Sequence, residues 1–178
     1  MRASKAIAPV TKTAKPLDLE TRLTDDHHQA LKLWLRLLSC TNLVESGVRT
    51  RLRAEFGITL PRFDLMAQLE RNPGGLKMNE LSRRLMVSGG NVTGLTDQLE
   101  KEGLVARSDD PGDRRAYTVK LTPAGRALFA RMAAVHEQWV IELFAGLSAT
   151  EKTQVHRSLA RLKLHVAGVA ATKSERAR

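Results

Sequence analysis

Residues 76–121 read LKMNELSRRLMVSGGNVTGLTDQLEKEGLVARSDDPGDRRAYTVKL, and the fold is decided inside this stretch. Leu81 and Leu85, four residues apart, predict a short helix from Met78 to Leu85. Val87-Ser88-Gly89-Gly90 predicts a glycine turn, and Ser88 is placed to cap a second helix by accepting a backbone N–H. That helix, expected over about 89–102, carries Val92, Leu95 and Leu99 on one face and is stopped by Gly103. Leu104-Val105-Ala106-Arg107 then begins a strand, Asp109-Asp110-Pro111-Gly112 turns the chain, and residues 116–121 return with Tyr117, Val119 and Leu121 on one face. Two short helices followed by a basic two-stranded ribbon outline a winged helix-turn-helix.

Placement then points to chemistry. Ser88, Gly90, Asn91, Thr93 and Gly94 are left on the exposed N-terminal half of the second helix, which has no acid before Asp97. A positive helix end bearing small polar side chains suits entry into the major groove of DNA. There Asn91 can bond a base edge, and Thr93 a phosphate or a thymine methyl. Glycine at 89, 90 and 94 costs a helix on the order of 1 kcal/mol each relative to alanine. Close approach of the backbone to DNA would compensate; a loosely specified helix start is the alternative. At the ribbon tip, Arg114 or Arg115 can enter the narrow minor groove, with Asp113 orienting an arginine. A charged hairpin tip alone is commonly just solvated, so the preceding helices give this one its meaning.

Outward from this module, residues 1–22 read as a mobile basic arm, with Lys5, Lys12 and Lys15 among Pro9 and Pro16. It is either a minor-groove arm or a solubilising tail. Residues 23–58 are expected to form a dimerisation helix, capped by Thr24 with Asp25 and Asp26 in its first turn and ended by Gly57. Its apolar positions Leu31, Trp34, Leu35, Leu38, Val44, Val48 and Leu52 exceed what one small core can cover. The winged helix-turn-helix region spans 59–121 and opens on a helix capped by Thr59, with Pro61 in its first turn and Phe63, Met66 and Leu69 facing inward. Asn72-Pro73-Gly74-Gly75 stops that helix.

Residues 122–172 are expected to be two further dimerisation helices. The first starts at Thr122-Pro123 and carries Phe129, Met132, His136, Val140, Leu143 and Leu147 at spacings of three and four. Ser148-Ala149-Thr150-Glu151 is a capping box opening the second, whose Val155, Leu159, Leu162, Val166 and Val169 keep the same spacing. Residues 173–178 read as a frayed tail. The predicted fold class is mainly α with a small antiparallel β-wing, its outer helices forming an intersubunit bundle.

Composition bounds the function. Length favours one core, and an aromatic content of 4% gives little for a base-stacking platform on single strands. A net charge of +10 favours a polyanion, because neutralised phosphates release counterions. The excess is spread, with +3 over 1–22, +2 over 77–126 and +4 over 127–178, so placement carries the DNA argument. One cysteine, Cys40, excludes an intrachain disulfide framework, and no apolar run is long enough to span a bilayer. A cytoplasmic protein is expected.

At this point the chain resembles the MarR family of bacterial transcriptional regulators. The resemblance is carried by Ile58-Thr59-Leu60-Pro61-Arg62-Phe63, by Leu81 to Leu104, and above all by Asp113-Arg114-Arg115-Ala116 followed by Leu121-Thr122-Pro123-Ala124-Gly125. It covers about residues 27–170. It implies a homodimeric repressor on a palindromic operator, each recognition helix entering one half-site about one helical turn, roughly 34 Å, from the other. It implies groove-facing roles for Ser88, Gly90, Asn91 and Thr93, the minor-groove arginine at Arg115, and Asp113 as its ion-pair partner. Gly89-Gly90 and Gly94 depart from the commoner proline or serine and arginine. The chain looks nearest to members controlling aromatic-acid or phenylpropanoid breakdown, which implies release by a small aromatic acid or its acyl-CoA thioester. Candidates for that effector's contacts are Trp34, Leu38, Asn42, Arg62 and Met66.

Other readings compete. Cys40 could sense oxidants, but the sole tyrosine is Tyr117 in the wing, and a buried structural thiol is the expectation. His27-His28, His136, His156 and His165 lack ligand spacing, so no metal or other cofactor is expected. No phosphate loop, nucleophile elbow or nucleophile and base pair points to an enzyme. A winged helix that binds protein rather than DNA is the remaining alternative.

Overall fold

The computed structural model describes residues 29–110 and 113–175, with side chains described over 29–108 and 117–169. The expected basic arm, the Thr24 cap with Asp25 and Asp26, and the Pro111-Gly112 turn lie outside the described residues. In chain order the elements are α1 (Gln29–Phe56), α2 (Leu60–Glu70), β1 (Leu76–Lys77), α3 (Met78–Leu85), α4 (Gly89–Lys101), β2 (Val105–Asp110), β3 (Asp113–Leu121), α5 (Pro123–Leu143) and α6 (Ala149–Glu175). Over the described residues the fold is mainly helical with one small antiparallel sheet. Among the described residues, no helix is long and apolar enough to cross a membrane.

The chain divides into two compact units, residues 1–47 and 48–178. In the first unit the described residues are the N-terminal part of α1, and none of them is buried. Cys40 is therefore exposed, which corrects the expected burial. Leu31, Leu33, Trp34, Leu38 and Leu43 stand exposed on the same stretch. Nothing local in a sequence reports whether an apolar face is covered.

The second unit holds the core. Val48 and Leu52 from α1, Phe63, Leu65, Met66 and Leu69 from α2, Leu81 from α3, Val92 and Leu99 from α4, Val119 from β3, and Met132 and Trp139 from α5 are all buried in one cluster. Each such side chain stabilises the fold by about 1.5–3 kcal/mol relative to solvent exposure. Gly57 ends α1 at φ +65, with its N–H bonded to the Arg53 carbonyl at 3.2 Å. Thr59 precedes α2 without a side-chain cap bond; its carbonyl instead accepts the N–H groups of Arg62 and Phe63, each at 3.1 Å. Pro61 in the first turn lacks an N–H in any case, so the hydroxyl cap has less to satisfy.

An aromatic run joins α2 to α5. Phe63 stacks on Phe129 with centroids 5.4 Å apart, and its ring lies 4.9 Å from His136. Burial lowers the His136 pKa from the ordinary 6.5. Trp139, not assigned to the inner face from sequence, is buried one turn on and lies 6.3 Å from Phe56.

The sheet has three strands in the order β1-β3-β2, where two were expected. Leu76 pairs with Val119 and Lys77 with Thr118, so the segment before α3 is stitched to the inner strand of the ribbon. Gly75 makes this possible at φ +92, where a Cβ would stand 2.9 Å from the Val119 carbonyl oxygen. The capping box at α6 forms as expected: the Ser148 N–H donates to Glu151 Oε2 at 2.8 Å, and the Glu151 N–H donates to Ser148 Oγ at 3.3 Å. Every described side chain of α6, over 149–169, is exposed, including the apolar row Val155, Leu159, Leu162, Val166 and Val169.

Candidate nucleic-acid interface

The helix-turn-helix is built by α3, a three-residue turn and α4. The expected glycine turn is not what joins them. Met86 takes the left-handed conformation at φ 54 and is 91% exposed, while Gly89 and Gly90 already belong to α4. Hydrogen bonding across the turn explains how a methionine is held there. The Val87 N–H donates to the Ser82 carbonyl at 3.2 Å, and Ser82 Oγ donates to the Val87 carbonyl at 2.6 Å. Glu80 caps α3 from within by accepting the Lys77 N–H at 3.0 Å. Arg83 and Arg84, passed over in the sequence, stand exposed in the last turn of α3, where cations favour the helix dipole.

Ser88 caps α4 as its position suggested. Its backbone is extended, its Oγ accepts the Asn91 N–H at 3.4 Å, and its carbonyl accepts the Val92 N–H at 3.2 Å. Val92, Thr96 and Leu99 point α4 into the core, with Leu95 half-buried. Thr96 is a buried polar residue that costs little, since its hydroxyl donates to the Val92 carbonyl at 2.8 Å. Ser88, Gly89, Gly90, Asn91, Thr93 and Gly94 are all exposed. The Thr93 hydroxyl donates to the Gly89 carbonyl at 3.0 Å. A Cβ built on Gly89, Gly90 or Gly94 would meet nothing within 4 Å, so no packing among the described residues requires glycine at these places.

Gly103 closes α4 at φ +70, its N–H bonded to the Glu100 carbonyl at 2.9 Å and the Leu104 N–H to the Leu99 carbonyl at 2.9 Å. β2 and β3 then pair antiparallel from Val105↔Leu121 to Asp109↔Tyr117, with an irregularity between Asp109 and Asp110. Ser108 Oγ and Thr118 Oγ1 add a cross-strand hydrogen bond of 2.9 Å. Asp113, Arg114 and Arg115 open β3 beside the ribbon's tip; their side chains lie outside the described residues.

Arg107 on β2, which the sequence marked only as part of a strand, makes the contacts that join this ribbon to α4. Its guanidinium pairs with Asp97 and, at 2.7 Å, with Glu100 Oε2, both on α4, and lies 5.0 Å from the centre of the Tyr117 ring. Burial works against this charge, but the Asp97 hydrogen bond and the nearby acidic groups outweigh it, so its pKa is raised. Partners seven and ten residues upstream, on another element, leave no periodic signal.

The effector candidates divide between the units. Trp34, Leu38 and Asn42 share one face of α1 in the first unit and are exposed. Arg62 and Met66 lie on α2 in the second, both buried. Arg62 pairs with Glu102 at the end of α4, and its buried Nε has no hydrogen-bond partner among the described residues. Met66 is fully inside the core.

A capped helix-turn-helix running into an antiparallel ribbon defines a winged-helix protein. Residues 56–116 match the MarR family. A crystal structure of a MarR family transcriptional regulator from Silicibacter pomeroyi superposes with a TM-score of 0.69 at 33% identity, covering 80% of this chain and 99% of that one. The HTH-type transcriptional regulator PecS of Dickeya dadantii (strain 3937) is 27% identical over 72% of this chain and 79% of its own length. The transcriptional activatory protein BadR of Rhodopseudomonas palustris (strain ATCC BAA-98 / CGA009) is 34% identical over 58% of this chain and 60% of its own. The chain belongs to the MarR family: it is a DNA-binding transcriptional regulator, not an enzyme.

Proposed function

We propose that this regulator is a homodimeric repressor that occupies a palindromic operator and is released by a small aromatic acid or its acyl-CoA thioester. The observation that carries the DNA-reading part is the tip of α4. It is exposed, capped by Ser88, free of acid until Asp97, and made of side chains too small to hold DNA away. In this reading Ser88, Gly90 and Asn91 face the major groove. Thr93 contacts a thymine through its methyl group, since a hydroxyl contact with phosphate would cost the bond to the Gly89 carbonyl. Arg114 and Arg115 serve the minor groove, with Asp113 orienting Arg115.

Pairing is supported by α6. An apolar row of five residues over a helix of 27, all exposed, is a surface that a second copy of the same helix can cover. The effector part is supported by Arg62, whose buried guanidinium is shared with Glu102 at the end of the recognition helix. A carboxylate competing with Glu102 for Arg62 would act on α4 directly. Release then follows from unequal affinity for the two states, typically about 1–3 kcal/mol of coupling.

The test is binding of the purified chain to DNA upstream of its own gene, with and without aromatic acids and their CoA esters. Saturable binding that one ligand class weakens supports the reading. Binding indifferent to every ligand removes the effector part, and a ligand that leaves DNA bound while transcription rises would recast the protein as an activator.

A further inference from the structure

Arg107, on β2, touches both α4 and β3. Its guanidinium bonds Asp97 and Glu100 in the C-terminal half of α4, its backbone N–H donates to Glu100 Oε1 at 3.3 Å, and the Tyr117 ring of β3 lies beneath it. Its side chain is 24% exposed, against 55% for Asp97 and 37% for Glu100. Each of these pairs taken alone contributes modestly to stability, because the carboxylates stay largely in water; linked through one guanidinium they also tie β2 to α4. A planar guanidinium bridging two carboxylates is a rigid spacer. Asp97 lies one turn beyond Gly94, so the bridge begins where the exposed half of α4 ends.

The lever runs outward. The strands stay paired beyond Arg107, and Asp110, the last residue of β2, is three residues or about 10 Å further on. A tilt of about 10° at Arg107 would move the tip by roughly 2 Å, more than a groove contact tolerates.

We propose that Arg107 is a positioning residue for DNA reading. It fixes the β2–β3 ribbon at a set angle to α4, so that helix tip and ribbon tip meet neighbouring grooves of one duplex together. Arg107 itself touches no DNA. The proposal rests on the DNA-reading assignment of α4 and the ribbon made above.

The probe is the duplex that the unmodified full chain selects from a pool of random DNA. Arg107→Gln is expected to weaken binding to it by about ten-fold, as Arg115→Ala does, while adding Arg107→Gln to Arg115→Ala costs less than about three-fold more. Penalties that multiply in the double variant overturn the proposal, because they would mean direct contact or a general loss of folded protein. Asp97→Asn with Glu100→Gln supplies a second arm that keeps Arg107. That variant is more positive by two charges, so electrostatics alone would tighten binding; weaker binding to the selected duplex supports the proposal and tighter binding overturns it. If the unmodified chain selects no duplex, the DNA-reading assignment falls, and this proposal with it.

Discussion

The carbonyl oxygen of Leu104 lies 1.9 Å from the point where a Cβ on Gly125 would stand. The entry to β2 and the first turn of α5 are therefore in backbone contact, clamped by Thr122, which donates to the Gly103 carbonyl at 2.7 Å and accepts the Gly125 N–H at 3.0 Å. Gly125→Ala is expected to force this junction apart and to destabilise the protein by on the order of 3 kcal/mol. The shift of the urea midpoint measures it, and an unchanged midpoint would mean that the junction relaxes freely.

Gly94 is the opposite case, since it sits inside α4 with open space where a Cβ would be. Gly94→Ala is expected to stabilise the fold by about 1 kcal/mol through helix propensity alone. Affinity for operator DNA should fall nonetheless, because the added methyl group stands on the face assigned to the groove. Higher stability with undiminished DNA affinity would remove Gly94 from that face.

His136 gives the fold a pH dependence. Burial lowers its folded pKa below the ordinary 6.5, so the folded protein favours the neutral ring. Its contribution is fully present above about pH 6.5 and is lost as the pH falls through the folded value, where the unfolded chain binds the extra proton. His136→Phe should flatten the urea midpoint between neutral and mildly acidic pH and keep the ring contact with Phe63. An unchanged slope would place the acid sensitivity elsewhere.

Leu159 and Val166 are exposed on α6, so replacing both by glutamate removes nothing from the core of the chain. Light scattering is expected to report a dimer for the unmodified protein and a folded monomer for Leu159→Glu/Val166→Glu. A double variant that stays dimeric would move the pairing surface away from this row.

Much of the fold was legible because its signals are local. Leu81 and Leu85 marked α3, Ser88 and Gly103 bounded α4, and Ser148 with Glu151 opened α6. What escaped is non-local or depends on cover. β1 is two residues long and exists through Val119 and Thr118, more than 40 positions away. Met86 does the work assigned to glycine, because the Ser82 and Val87 bonds hold a left-handed residue that composition would not suggest. Trp139 faces inward because Phe56 and His136 lie beside it, whereas the sequence offered several apolar positions of equal claim. The exposure of Cys40 depends on what surrounds α1, which periodicity does not report.

The central claim is that α4 and the ribbon read double-stranded DNA as a symmetric pair. Sequencing the duplexes that the full chain enriches from random DNA tests it most directly. The expected result is an inverted repeat with half-sites about one helical turn apart, bound less tightly by Arg115→Ala and with a salt slope lower by about 1. Equal and feeble affinity for every duplex, with no motif enriched, would contradict it.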